Sequence, residues 1–64
     1  MGARDLLAQI PALSEAELWD LLAEEKRGQA RLYLMQRIYH RASKLRHARE
    51  VSEMAQLAVE RINA

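Results

Sequence analysis

From Gln29 to Asn63 the chain has neither proline nor glycine, and this uninterrupted run limits the fold more than any other feature. Strand signals are missing from it: the valines, Val51 and Val59, do not alternate with other β-branched residues. Leu, Ala, Glu and Arg dominate, as in a helical protein. As one helix the run would be roughly 50 Å long, well beyond the usual three turns. The sequence therefore predicts an all-α chain whose second half, about 29–63, is one long helix or two.

The apolar pattern decides where a division would fall. Leu34, Met35, Ile38, Tyr39, Ala42 and Leu45 share one face at the helical step of about 100° per residue. Past Leu45 the stripe continues as Ala48, Val51, Ala55, Ala58 and Ile62. The steps from Leu45 to Ala48 to Val51 are both of three residues, so the apolar face rotates by more than a quarter turn. Arg46 and Arg49 take over the old line. Either the helix kinks or breaks near 46–52, or its halves face different neighbours.

Upstream, Ala3 to Ile10 is a short helix candidate closed by Pro11, which disfavours helical geometry in Ile10. Ser14 and Glu17 then form a capping-box pair, flanked by Leu13 and Leu18 at the staple positions. They predict a second helix over about 15–27, with Leu18, Leu21 and Leu22 on its inner face. Lys26 and Arg27 suit its carbonyl end, and Gly28 is placed as a left-handed cap. The expected architecture is a helical hairpin, with Leu18, Leu21 and Leu22 against Leu34, Ile38, Ala42 and Leu45. The short first helix closes one end through Leu6, Leu7 and Ile10. Residues 1–64 make one small domain.

A chain of 64 residues hides only about 60% of the surface its unfolded form exposes, so its core needs reinforcement. Without cysteine, neither disulfides nor thiolate zinc sites can supply it. The second helix is too short to cover Val51, Ala55, Ala58 and Ile62, and an apolar stripe of that length is expected to find cover. Pairing with the same stripe on a twofold-related copy is the simplest solution, giving a homodimer. If the long run breaks, the last helix could instead fold back and complete a monomeric bundle.

Charge is unevenly placed. Residues 1–25 sum to −5, residues 26–49 hold eight cations and no acid, and residues 50–64 sum to −2. Arg37, Arg41 and Lys44 line up opposite the core stripe, with His40 and His47 beside them. Such a ridge either binds phosphate backbone or is a solvated face, partly neutralised by the acidic second helix. His47 and Glu50, with a ligand from a second chain, sketch a metal site, but the neighbouring Lys44 opposes a divalent ion, so no metal or cofactor is expected. Protonation of the two histidines would instead add charge to the ridge in mild acid.

Glu17, Asp20 and Glu24 have ordinary surface spacing, and the serines lack a nucleophile's setting, so no catalytic residue is expected. Trp19 either anchors a partner or covers the hairpin core. No apolar run is long enough for a membrane span, and Met1 to Leu13 does not read as a signal peptide. The expectation is a cytoplasmic, non-enzymatic interaction protein: a dimerising adaptor, inhibitor or assembly factor that binds another protein and no small-molecule substrate. The alternative is a nucleic-acid-associated regulator using the ridge Arg37, His40, Arg41, Lys44 and His47.

Overall fold

The computed structural model describes residues 2–64 and is all-α, with no strand among them. Helix α1 spans Ala3–Gln9 and runs into a single 3-10 turn, Ile10–Ala12. Helix α2 spans Glu15–Arg27, and helix α3 spans Leu32–Asn63. No helix is long and apolar enough to cross a membrane among the described residues.

Ile10 differs from expectation. It keeps helical geometry (φ −48°, ψ −47°) although a proline follows. The chain tightens into the 3-10 turn instead of breaking, which holds the Ile10 side chain in the core at 6% exposure. Burial of one large aliphatic side chain, worth about 1.5–3 kcal/mol, outweighs the local preference that Pro11 imposes.

The start of α2 follows the capping box. The Ser14 hydroxyl accepts from the Glu17 amide at 3.2 Å, and the Ser14 amide donates to the Glu17 carboxylate at 3.0 Å. Leu18 is wholly buried and Leu13 packs against the same cluster, so the staple residues enter the core.

The end of α2 departs from expectation in two ways. Gly28 is not left-handed: its φ is −94° and its ψ −119°. What it supplies is space, since a Cβ there would lie 3.3 Å from the Glu24 carbonyl oxygen. The left-handed residue is Ala30, at φ 50°. Its amide donates to the Glu25 carbonyl at 2.8 Å, closing the turn. Because Ala30 cannot belong to a right-handed helix, α3 begins at Leu32 with Arg31 extended before it, not at Gln29.

From Leu32, α3 runs 32 residues without a break, so the segment 46–52 is helical throughout. Its ideal length of roughly 48 Å accounts for almost all of the molecule's 51 Å long axis. The helix does not break, and the rotated apolar stripe marks where α3 leaves its neighbours. Helix α2 lies antiparallel along the first half of α3, its last turn at Arg31 and its first turn at Arg49. Leu18 and Leu22 of α2 join Leu34, Ile38 and Ala42 of α3, and Leu6 and Ile10 close the cluster. Leu21 and Leu45 sit half-buried at its edge. Beyond Arg49 every residue is exposed, and α3 continues alone as an arm.

Candidate interaction surfaces

Two ion-pair clasps fix the hairpin, one at each end of α2. At the turn, Glu25 is buried at 7% exposure and takes three hydrogen bonds from Arg31. The guanidinium donates from Nε at 2.9 Å and Nη2 at 3.0 Å, and the Arg31 amide donates at 2.9 Å. The two-pronged guanidinium contact is the stronger class of charge-assisted bond. Held by the Arg31 side chain and amide, the Glu25 carboxyl titrates at about 2, far below its ordinary 4.5.

At the other end, Glu15 accepts from Arg49 at 2.9 Å and 3.4 Å and from the Trp19 indole at 3.1 Å. The Arg49 bond, then the indole, lowers the Glu15 pKa, while Glu15 and Glu53 together raise that of Arg49. Arg46 lies over the Trp19 ring at 5.3 Å, and Tyr39 meets that ring edge-on at 6.1 Å. Trp19 is thus half-buried and packs on the core, as a covering residue does. The Arg46–Glu50 and Arg49–Glu53 pairs, each one helical turn apart, bridge the segment where the apolar stripe rotates.

These clasps leave the basic ridge untouched. The acids of α2 that form cross-helix ion pairs choose Arg31 and Arg49, so none of them pairs with Arg37, Arg41 or Lys44. Those three cations make no ion pair among the described residues. They gather instead, with His40, on the wall of a cleft of about 360 Å³ between the 3-10 turn and α3. Ile10 and Pro11 form its other wall, and no carboxylate lines it. The Arg41 Nε is shielded from solvent and has no hydrogen-bond partner. His47 lies one turn beyond Lys44, exposed and outside the cleft. That Pro11 faces this ridge is not legible along the chain, because a helix-stopping proline says nothing about which surface it covers.

A second concavity, of about 540 Å³, opens between α1 and α2. Leu6, Leu13 and Leu21 floor it, and Glu17, Asp20 and Glu24 stand at its edge. Glu17 is already committed to the cap, and its two bonds with Ser14 lower its pKa. No cluster of three or more potential metal ligands occurs among the described residues.

The third surface is the arm. Val51, Ala55, Ala58 and Ile62 are all exposed, Ile62 most of all. Met54, three residues past Val51 and overlooked in the sequence, belongs to the same face and is 62% exposed. The face that continues the core line carries Arg49, Glu53, Gln56 and Glu60, joined by the Arg49–Glu53 and Gln56–Glu60 bonds. The arm's polar side therefore extends the hairpin core line, and its apolar side extends the basic ridge. Compared with known protein families, characterised proteins and solved structures, the chain matches none.

Proposed function

We propose that the protein is a non-enzymatic, dimerising interaction module, an adaptor, inhibitor or assembly factor whose arm pairs with that of a second copy. The supporting observation is the arm itself. Residues 50–63 form helix beyond the last contact with α2, with an apolar face turned to water. An isolated helix of this length is marginal in water, and most helical stability in proteins comes from packing an apolar face.

A second copy fits this face, and charge selects the antiparallel arrangement. Parallel arms would set each basic ridge beside its copy, because ridge and stripe share one side of α3. Antiparallel arms separate the ridges to opposite ends of the dimer. A twofold axis between Met54 and Ala55 then sets Val51 opposite the other copy's Ala58, and Met54 opposite its Ala55. Large side chains meet small ones, which lets the helices approach closely.

Light scattering tests this directly. The protein is expected to run at twice its 7.4 kDa chain mass, and Val51→Asp with Ala58→Asp at the single mass, with the hairpin still folded. A wild-type mass of one chain at 100 µM, or an unchanged mass in the double variant, overturns the proposal.

A further inference from the structure

We infer that the cleft between the 3-10 turn and α3 is a phosphate site that seats the sugar–phosphate backbone of a nucleic acid along the ridge from Arg37 to His47. Three observations converge on it. First, the six cations from Arg31 to Arg49 divide by location. Arg31, Arg46 and Arg49 each hold a carboxylate, whereas Arg37, Arg41 and Lys44 hold none, although acids are abundant on the adjacent α2. Second, Arg37, Arg41 and Lys44 share one concave wall with His40, and nothing anionic lines the cleft.

Third, the Arg41 Nε–H is cut off from solvent with no acceptor. A shielded donor of this kind calls for an acceptor that the chain does not supply. A turn of the Arg41 side chain into the cleft would give this donor an anionic oxygen beside Pro11, with Arg37 and Lys44 flanking the same anion along the helix.

The length of the ridge distinguishes a nucleic-acid backbone from a lone phosphate. Arg37 to Lys44 covers roughly 10 Å along the axis and His47 adds about 5 Å more, by the rise of 1.5 Å per residue. That distance spans several successive phosphates of a strand, which advance about 3.4 Å each along a duplex. The overall charge of +1 is no obstacle, because the acids lie at the two ends of the sequence and the eight cations between them. This inference stands on the ridge and does not require the dimer, since the arm contributes no residue to the cleft.

The test is a fluorescence-anisotropy titration of a labelled 20-base-pair duplex and its single strand, at several salt concentrations. Three displaced counterions predict a slope of about −2.7 for log affinity against log salt on duplex, hence about 40-fold weaker binding at 200 mM than at 50 mM salt. Arg37→Gln with Arg41→Gln and Lys44→Gln keeps helix-compatible side chains and should abolish binding. Lys26→Gln with Arg27→Gln and Arg61→Gln removes the same charge elsewhere and should change affinity less than threefold. Val51→Asp with Ala58→Asp should retain the salt slope expected for each ridge.

No wild-type binding at 20 mM salt overturns the inference. So does equal loss in the two triple variants, which would reveal attraction without a site. Tighter binding to vesicles of anionic phospholipid than to nucleic acid overturns it in favour of a membrane surface.

Discussion

At the scale of single residues, two side chains at the α2–α3 turn have effects out of proportion to their size. Ala30 occupies the left-handed region at φ 50°, where a Cβ crowds the following carbonyl at a cost of roughly 1–2 kcal/mol. Ala30→Gly removes that crowding but adds freedom to the unfolded chain. The balance predicts a gain of about 0.5 kcal/mol, read as a higher urea midpoint with unchanged slope. Ala30→Val should move the midpoint the other way. Glu25 gives the turn a pH dependence with a definite sign. Its folded pKa of about 2 lies below the ordinary 4.5, so its charged form stabilises the fold above pH 4.5. That contribution is lost as pH falls from 4.5 towards 2. A urea series across this window should show Glu25→Gln less stable than wild type at pH 6, with the gap narrowing by pH 3.

At the scale of elements, α3 does two tasks with one unbroken helix. Its first half supplies the core stripe of Leu34, Ile38 and Ala42, and its second half leaves the hairpin altogether. The clasp of Glu15, Trp19, Arg46 and Arg49 marks the border between them. Past that border no tertiary contact supports the helix, so its amides depend on local bonds and on whatever covers Val51 and Met54. Hydrogen exchange should therefore show amides of 54–62 protected in wild type and fast in the Val51→Asp, Ala58→Asp variant. Amides of 34–45 should be protected in both, and fast exchange of the arm in wild type would contradict a paired arm. In α2 the cap is the sensitive point. Ser14→Ala leaves the Glu17 amide without its acceptor and should cost about 1 kcal/mol.

At the scale of the whole molecule, stability rests on a small core. Seven apolar side chains are buried among the described residues, and Leu18, Leu34 and Ile38 are the largest that are wholly enclosed. Trimming any of these three leaves a cavity that a thin two-layer structure can partly close. Ile38→Ala is expected to cost about 2–5 kcal/mol and, in a domain this small, to leave little folded protein at 37 °C. Thermal melts by circular dichroism would show it, and an unchanged midpoint would mean that the hairpin is not the stabilising unit. The same thinness explains why all three candidate surfaces lie on helices that also build the core. No layer remains to separate function from packing.

Much of this was written in the linear order of residues. Ser14 and Glu17 specify where α2 begins, because a capping box is completed within four residues. The absence of proline and glycine after Gln29 left α3 free to be helical, and the three-residue steps after Leu45 located where it leaves its neighbours. The sequence by itself thus determined the helices, the hairpin core and the line of the ridge, all of which follow from local bonding and a fixed turn of about 100° per residue. The folded arrangement alone settled where α3 parts from α2, at the Arg49–Glu15 pair across 34 positions. It also decided that Ala30, not Gly28, turns left-handed, because the turn must bring Arg31 onto Glu25. And it laid Pro11 across from Arg41, a meeting of distant residues that no periodicity along one helix can encode. The uninterrupted run after Gln29 is still what shapes the molecule, but what its two ends touch was settled by the chain folding back upon it.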